Sequence, residues 1–361
     1  MVRFGIVGCG AIGPTHAGAL AQIDDAQVVA VADVVPERAK SMAEKFGIGK
    51  IYATDAELIA DPTIDAVVLA TPSGMHAEQA IRAMNAGKHV VVEKPMDVSL
   101  EACDRMIAAE KKTGKKLAII SQHRWDHASI FVKDAIASGK LGKLILVEMS
   151  VKWWRTQQYY DSGDWRGTYK WDGGGALMNQ GVHTVDLMQW LAGPVESISA
   201  RCATGGHERI EVEDIAIASL KFKNGAIGTL TASTACYNGQ LARIDIYGTE
   251  GSAIIEGDRL KLFRLKSGTE VTAEGASQHA LSVAMGGTAS VKDQAAERLS
   301  TAAAKDPGAV WGDAHREQLK DFIRAIQTNG TPLIHGAEGR KPLEVILGVY
   351  ESSRTGKEVR F

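Results

Sequence analysis

The chain has 361 residues, of which 45% are hydrophobic, so it is long enough for two domains of roughly 150 residues each. Its 41 basic and 43 acidic side chains give a net charge of −2, which excludes the strongly basic surface expected for a nucleic-acid or membrane-surface partner. The four cysteines lie far apart and no apolar run reaches the roughly 20 residues of a bilayer span, which excludes a disulfide framework and predicts a cytoplasmic protein.

The first third of the chain alternates short apolar runs with helical patterns. Apolar runs of this kind predict a parallel sheet that is covered by helices on both faces. The predicted strands are Val2–Val7, Val28–Ala32, Ala66–Ala70, His89–Val92 and Leu117–Ile120, and the helices between them include Pro14–Gln22, Glu37–Phe46, His76–Asn85 and Leu100–Lys112.

After Ser121 the pattern changes to strands in succession, which predicts a large, mostly antiparallel open sheet. A helix near Asn179–Leu191 interrupts these strands, and two helices follow near the end of the chain. The predicted strands are Leu144–Val151, Val195–Ala203, Ile215–Phe222, Ala226–Thr234, Arg243–Tyr247 and Ala253–Glu256.

The sequence therefore predicts an α/β domain over residues 1–122 and an α+β domain over residues 123–361. The first has the alternation of a Rossmann dinucleotide-binding domain. The polar stretch from Lys266 to Gly308 fits neither pattern, and two interpretations stay open. It is either an insertion over the substrate cleft or a surface excursion used in oligomer contacts.

A glycine motif joins the first predicted strand to the first helix. In this context G-x-G-x-x-G predicts a dinucleotide site: the first glycine permits a tight turn, the second lets a pyrophosphate approach, and the third lets the helix pack closely on the strand. The helix N-terminus then offers N–H groups and a positive dipole end to the phosphates. The motif residues are Gly8, Cys9, Gly10, Ala11, Ile12 and Gly13.

Asp33 ends the second predicted strand and sets the expected cofactor preference. A carboxylate at this spacing accepts hydrogen bonds from the adenosine ribose and repels a 2′-phosphate, which predicts NAD. Arg38 lies near enough to keep NADP as a second possibility. Further expected cofactor contacts follow later strands of the same sheet, namely Thr71, Pro72, His76, Glu93 and Lys94.

Two later motifs carry the expected chemistry. Glu93-Lys94-Pro95 follows a strand directly, at the sheet edge where ligands bind, so Lys94 could donate to a substrate hydroxyl or to the cofactor. Pro95 would fix this turn, with a cis peptide bond as one form.

The second motif runs from Asp172 to Asp186 and begins with three glycines, which we expect to let the backbone pass close to a ligand. If the chain is helical from Asn179, then Asn179, His183 and Asp186 stand at i, i+4 and i+7. They would share one face within an arc of roughly 60°.

Together these motifs resemble the glucose-fructose oxidoreductase/inositol dehydrogenase/rhizopine catabolism (Gfo/Idh/MocA) family, over almost the whole chain. The resemblance implies hydride transfer between a nicotinamide and a ring carbon of a sugar or cyclitol. It implies that Lys94 orients the substrate and the cofactor, that His183 is the general acid/base, and that Asp186 either contacts the substrate or holds the imidazole.

The sequence departs from the family at one position. Members similar to inositol dehydrogenase carry Asp four residues before the histidine, where this chain has Asn179. The run from Trp165 to Gln180 looks more like members that act on nucleotide-linked amino-sugar uronates or on glycosides at the 3-position. Strict inositol dehydrogenase activity is therefore not expected.

Aromatic and basic side chains near this motif are the candidate substrate contacts. Aromatic faces, such as that of Trp165, suit sugar rings, and arginines suit a phosphate or carboxylate. With Asn179 and Asp186, the expected substrate-binding set is Trp165, Arg124 and Arg166, and the wider cluster adds Trp153, Trp154, Arg155, Tyr159, Tyr160 and Trp171. The ten histidines are scattered without metal-ligand spacing, so no metal is predicted.

Two other functions stay open from the sequence: an NAD-assisted glycoside hydrolase of the same fold, and a non-catalytic NAD-binding regulator. The expected partner is a small carbohydrate, glycoside, cyclitol or nucleotide sugar. Because one face of the antiparallel sheet should be free to pair with a second copy, we also expect a homodimer or homotetramer.

Overall fold

The computed structural model of the chain describes residues 1–272 and 313–361, which form two compact units. Unit 1 contains Met1–Gln122, Tyr169–Gly173 and 313–343, and unit 2 contains His123–Thr168, 174–272 and Glu344–Phe361. The sequence placed all of 123–361 in one domain, whereas the structure groups two later segments of that range with the first 122 residues.

Unit 1 is built on a parallel sheet of six strands in the order β3-β2-β1-β4-β5-β6. The predicted Rossmann-type sheet is thereby confirmed. Because the order reverses between β1 and β4, the carboxyl ends of these two strands mark the place where such sheets bind ligands. The strands are β1 Val2–Val7, β2 Ala26–Ala32, β3 Lys50–Tyr52, β4 Ala66–Leu69, β5 His89–Val92 and β6 Leu117–Ile119.

The helices of unit 1 begin and end where local chemistry permits. Ser99 caps the N-terminus of α5, and Thr54 and Glu57 form a capping box on α3. Gly47 and Gly114 end α2 and α5 in the left-handed conformation. The helices are α1 Gly13–Leu20, α2 Pro36–Phe46, α3 Asp55–Ala60, α4 His76–Asn85 and α5 Leu100–Thr113.

A late helix, α9 (Asp313–Gln327), completes the core of unit 1. Phe322 is 1% exposed, and its ring lies 6.4 Å from that of Phe4 on β1. Gln318 donates to the Ile119 carbonyl and accepts from the Ser121 N–H, so it pairs with the backbone at the end of β6. These contacts are the physical reason that 313–343 belongs with the first 122 residues.

Unit 2 is built on a nine-stranded sheet in the order β14-β13-β12-β11-β7-β10-β9-β8-β15. Strands β7 and β10 are parallel, and the other neighbouring strands of the described chain are antiparallel. The predicted mostly antiparallel sheet is confirmed. Its strands are β7 Leu144–Lys152, β8 Val195–Ala203, β9 Ile215–Phe222, β10 Ile227–Ser233, β11 Arg243–Gly248, β12 Gly251–Glu256, β13 Arg259–Leu265, β14 Glu270–Thr272 and β15 Val359–Arg360.

The helical segments of unit 2 include a π-helical turn, Ala176–Gly181, that runs directly into an α-helix. Helix α10 belongs to unit 1 up to Leu343 and to unit 2 from Glu344. The α-helices are α6 His127–Ala137, α7 Gln157–Asp161, α8 Val182–Ala192 and α10 Gly336–Thr355.

One face of the unit 2 sheet carries exposed apolar side chains. Along β9 and β10 exposed residues alternate with buried ones. Ile217 is 53% exposed and Ile227 is 60% exposed.

The segment that the sequence left unassigned contains β14, and residues 273–308 lie outside the described residues. Among the described residues, no helix combines the length and apolar character that crossing a membrane requires. The cytoplasmic location stays a prediction.

We expect Phe322→Ala to lower the free energy of unfolding of unit 1 by about 3–5 kcal/mol, the cost of truncating a buried aromatic side chain. The control Leu333→Ala, at a site of the same unit that is 48% exposed, should change it by less than about 0.5 kcal/mol. Calorimetry compares both variants with the wild type. Equally small effects would show that α9 is not part of this core.

Candidate active site

The glycine loop after β1 is shaped by close backbone contacts. Gly8 has a φ of 97°, and a Cβ there would stand 2.4 Å from the Ala70 carbonyl oxygen. A Cβ at Gly13 would stand 2.3 Å from the Gly8 carbonyl oxygen. At Gly10, by contrast, no atom of the described residues lies within 4 Å of that position. The loop therefore closes tightly at its ends and leaves open space at its middle glycine.

Asp33 stands beside this loop. Its Oδ2 accepts from the Cys9 N–H at 2.7 Å, and its Oδ1 accepts from the Val35 N–H at 2.8 Å. Each oxygen keeps a further lone pair, so the carboxylate can support the loop and still accept from a ribose hydroxyl. Arg38 is exposed in the first turn of α2.

The start of α1 provides the other half of a phosphate site. Ile12, its N-cap residue, has no side-chain cap, and Pro14 occupies the first turn. Ala11 is exposed and Ile12 half-buried. Backbone N–H groups at such a terminus suit a pyrophosphate. With the open space at Gly10 and the carboxylate of Asp33, these residues fit a dinucleotide.

His76 has a structural role that the sequence did not predict. It is 1% exposed, and its two ring nitrogens lie 2.9 Å from the Thr71 carbonyl oxygen and 3.0 Å from the Pro95 carbonyl oxygen. A direct cofactor contact was expected, but these contacts use the ring to link two loops. Thr71 also donates through its hydroxyl to Gln79, and Pro72 precedes a short 3₁₀ turn.

Glu93 likewise turns inward instead of presenting its carboxylate to a ligand. It is 5% exposed and accepts from His16 at 2.7 Å, with the His315 ring nitrogen 4.0 Å away. Burial raises the pKa of Glu93, but the hydrogen bond from His16 and the nearby imidazoles outweigh this and hold it at about 2. Glu93 is thus a buried charge that holds the end of β5, and its predicted cofactor contact stays a prediction.

Lys94, next in the chain, is half-buried, and its backbone N–H donates to the Glu93 carboxylate at 3.1 Å. The peptide bond between Lys94 and Pro95 is cis, one of the two forms considered from the sequence. A buried carboxylate therefore fixes the backbone from which the lysine side chain extends.

In unit 2 the second motif forms a π-helical turn that continues into an α-helix, so its helical spacing is not regular. Asn179 lies in the π-helical turn and His183 in the first turn of α8. Because a π turn has i→i+5 spacing, the regular i, i+4, i+7 relation predicted from Asn179 does not hold. Asn179 and His183 are half-buried whereas Asp186 is 2% exposed, so Asp186 does not share their accessible face.

Arg124 and Asp186, both expected to contact substrate, bind each other instead. Arg124 donates through Nε to Asp186 Oδ2 at 2.8 Å and through Nη2 to Oδ1 at 2.6 Å. Both side chains are 3% exposed. A two-point pair this deeply buried is costly to separate, since either charge alone would be left in the interior. The pair thus ties α8 to the turn before α6.

His123 was missed by the sequence reasoning and lies against the candidate acid/base. Its ring is edge-to-face with that of His183, with centroids 5.0 Å apart. Its Nδ1 lies 2.7 Å from Asp126 and 3.3 Å from Asp258. Burial lowers the pKa of His123, but these carboxylates outweigh it and raise it to about 10. The nearby carboxylates therefore favour the protonated, cationic form of His123.

Among the described residues, the fold brings together two imidazole–carboxylate clusters that the sequence analysis did not predict. One is His16, Glu93 and His315, and the other is His123, Asp126 and Asp258, with the polar atoms of each within 4.8 Å of one another. Direct hydrogen bonds link the imidazole and carboxylate groups in both. The prediction that no metal is needed stays a prediction.

Arg166 and Trp165 come together around Tyr159. The guanidinium of Arg166 stacks 4.4 Å from the Tyr159 ring centroid and 4.3 Å from that of Trp165. Tyr159 Oη accepts from Arg166 at 2.9 Å and from Gln180, in the π turn, at 3.0 Å. These contacts join the aromatic cluster to the segment that carries Asn179. All four side chains are partly exposed.

The sequence analysis expected the triple glycine to let the backbone pass close to a ligand, but the structure shows another reason for glycine at these positions. A Cβ at Gly174 would stand 2.2 Å from the Tyr350 hydroxyl, and one at Gly175 would stand 1.7 Å from the Glu213 carbonyl oxygen. The closest neighbours of these glycines are thus parts of the protein itself. No local pattern in the sequence predicts Glu213 and Tyr350 as the contacts of these glycines.

Two family models match the chain. Residues 2–121 match an oxidoreductase family with an NAD-binding Rossmann fold. Residues 130–254 match a GFO/IDH/MocA C-terminal domain.

Similar proteins span nearly the whole chain. The myo-inositol 2-dehydrogenase of Thermotoga maritima is 29% identical over 99% of this chain and 97% of its own length. An uncharacterized oxidoreductase of Rhizobium meliloti is 30% identical over 92% of this chain and 91% of its own. The crystal structure of the WlbA dehydrogenase from Bordetella pertussis, in complex with NADH and UDP-GlcNAcA, is 32% identical with a TM-score of 0.83, and the match covers 100% of this chain and 98% of that one. This chain therefore belongs to the Gfo/Idh/MocA family of NAD-binding oxidoreductases.

Proposed function

We propose that this protein is an NAD-dependent dehydrogenase that oxidises a ring CH–OH group of a sugar, glycoside, cyclitol or nucleotide sugar. The observation that carries the proposal is the exposure of His183. It is half-buried, whereas the other residues from Val182 to Met188, at the start of α8, are buried. An imidazole kept accessible on an otherwise buried helix suits proton exchange with a bound substrate.

The proposed roles follow from the chemistry of the side chains. His183 takes the proton of the substrate hydroxyl, because an imidazole ordinarily titrates near neutral pH. Lys94 donates a hydrogen bond to a substrate hydroxyl or to the cofactor and thereby orients it. Asn179 donates a hydrogen bond to a neighbouring hydroxyl or accepts one from it. Asp186, through Arg124, holds α8 in place and does not contact the substrate.

The cofactor proposal rests on the loop after β1. The proposed contacts are the open space at Gly10, the N–H groups at the start of α1, and the Asp33 carboxylate for the ribose hydroxyls. Bound NAD would supply the hydride acceptor. The protein's own contribution is to hold the dinucleotide and to keep a negative charge where NADP would place its 2′-phosphate.

Acidic nucleotide sugars are the first substrate class that we propose. Arg166, stacked between two aromatic rings and joined to the π turn through Tyr159, could bind a carboxylate or phosphate while the rings cover a sugar face. The WlbA dehydrogenase, at 32% identity, was crystallised with UDP-GlcNAcA. Asn179 in place of the family's Asp disfavours inositols.

The test is NADH formation at 340 nm with UDP-GlcNAcA, myo-inositol, levoglucosan and free sugars, run in parallel with NADP. Turnover of one class with NAD supports the proposal and identifies the class. Cleavage of a glycoside without net NADH would favour the NAD-assisted hydrolase. Tight NAD binding with no turnover of any compound would favour the regulator.

His183→Ala should lower kcat by about a hundredfold to ten-thousandfold, because it removes the proton acceptor. Lys94→Ala should lower kcat/KM, and the double variant should have no measurable turnover. NAD binding, followed by fluorescence, should persist in His183→Ala. The control His127→Ala removes an exposed imidazole at the start of α6 and should retain wild-type rates. Wild-type turnover by the double variant would refute the assigned roles.

Asp33→Asn should shift the cofactor preference toward NADP. Removing a like-charge contact with the 2′-phosphate is expected to lower the NAD/NADP ratio of kcat/KM by about tenfold, equivalent to about 1.4 kcal/mol. Steady-state kinetics with both cofactors measures the ratio. The control is Asp25→Asn, an exposed change just before β2. A ratio unchanged by Asp33→Asn would remove Asp33 from the cofactor site.

We also propose that the exposed face of the unit 2 sheet joins two copies of the chain. Apolar residues this exposed on neighbouring strands are typical of surfaces that become covered. The double variant Ile217→Lys/Ile227→Lys should therefore lower the mass measured by light scattering from dimer or tetramer toward monomer. The control Ile51→Lys changes an isoleucine 49% exposed on β3 and should leave the mass unchanged. A monomeric wild type would overturn this proposal.

A further inference from the structure

Glu213 holds the backbone at the start of the segment that carries Asn179 and His183. Its Oε2 accepts from the Gly175 N–H at 2.8 Å, and its Oε1 accepts from the Leu177 N–H at 2.8 Å. The carbonyl oxygen of the same residue accepts from the Ala176 N–H at 3.0 Å. One residue thus satisfies three consecutive backbone donors that a helix start would otherwise leave without helical partners.

The donor set around Glu213 suits a carboxylate, because its three hydrogen-bond partners are all donors. Both oxygens of Glu213 accept from backbone N–H groups, and Oε1 also accepts from the Tyr350 hydroxyl at 3.0 Å. A glutamine has the same shape, but its NH₂ group would face one of these N–H groups, donor against donor. Glu213 is 5% exposed, so water cannot readily replace the lost acceptor.

The glycines show how closely the segment that carries Glu213, just before β9, approaches the helix start. Because a Cβ at Gly175 would overlap the Glu213 carbonyl oxygen, the two backbones are in direct contact. Tyr350 closes the other side against Gly174. The Asn179 N–H then donates to the Gly175 carbonyl at 2.9 Å, which connects the anchored turn to the first functional side chain.

We propose that Glu213 is a positioning residue: it anchors residues 175–177 and thereby fixes where Asn179 and His183 stand. The catalytic consequence rests on the function proposed above, whereas the anchoring itself does not. Displacing a catalytic group by about 1 Å can cost about a hundredfold in rate. Loss of the anchor should therefore reduce turnover without removing any group that touches the substrate.

The experiment uses the full chain with Glu213→Gln. Burial raises the pKa of Glu213 to about 7, while the hydrogen bonds from Leu177 and Gly175 act in the opposite direction. The assays are therefore run well above neutral pH, where the wild-type carboxylate is ionised. We expect faster hydrogen–deuterium exchange of the Gly175 and Leu177 amides. We also expect kcat to fall by about tenfold to a hundredfold, with the KM for NAD unchanged, using UDP-GlcNAcA and myo-inositol as probes.

Two further variants separate positioning from general stability. Glu211→Gln makes the same change at an exposed site two residues earlier, and we expect it to match the wild type in both measurements. Tyr350→Phe removes one donor and leaves both N–H bonds to the carboxylate, so its effects should be smaller than those of Glu213→Gln. An equal or larger loss in Tyr350→Phe would transfer the anchoring role to Tyr350 and overturn the proposal.

The outcomes distinguish this inference from the proposed function. Amide exchange unchanged in Glu213→Gln would overturn the anchoring. Faster exchange with kcat per folded molecule unchanged would overturn the positioning role and leave Glu213 a stabilising residue. If the wild type oxidises neither probe, the proposed oxidation of these two substrate classes is wrong, and amide exchange still decides whether Glu213 anchors the segment.

Discussion

Both candidate sites depend on backbone segments that approach each other more closely than a Cβ atom allows. In unit 1 the carbonyl oxygens of Ala70 and Gly8 occupy the places of the side chains missing at Gly8 and Gly13. In unit 2 the Glu213 backbone does the same at Gly175. Such contacts leave little freedom for the loop between them, because any added side chain would force backbone to move. This exclusion restricts where the backbone that carries the candidate site residues can lie.

A second regularity is that the buried charges are matched within the protein. Arg124 pairs with Asp186, Glu93 with His16, and the Glu213 carboxylate with backbone N–H groups. A buried charge without such partners would be expensive, so these groups are committed to holding elements in place. What remains partly accessible, Lys94 in unit 1 and the Asn179 and His183 side chains in unit 2, is the set with the chemistry of proton transfer and hydroxyl binding.

The sequence predicted the elements that have a strong local pattern. The bounds of β1, β5, β8, β9 and α4 coincide with the prediction, because apolar runs and turn residues delimit them. Short or polar elements were missed: β3 has three residues on a sheet edge, and β13 alternates charged with apolar side chains, a signal that was present but not used. The place of α9 and the pairing of Arg124 with Asp186 depend on residues distant in the chain, so local spacing could not reveal them. The same holds for Glu213, whose neighbours Gly175 and Tyr350 come from different elements.

Asp33 illustrates how a single side chain can join two requirements. Its carboxylate supports the glycine loop through the Cys9 N–H and is also the charge that would discriminate between the two dinucleotides. A substitution that removes this acid to admit a phosphorylated cofactor would therefore also remove an acceptor from the loop. The same change is expected to lower the stability of the loop unless another group accepts from the Cys9 or Val35 N–H. Coenzyme preference and loop stability are thus linked through one side chain.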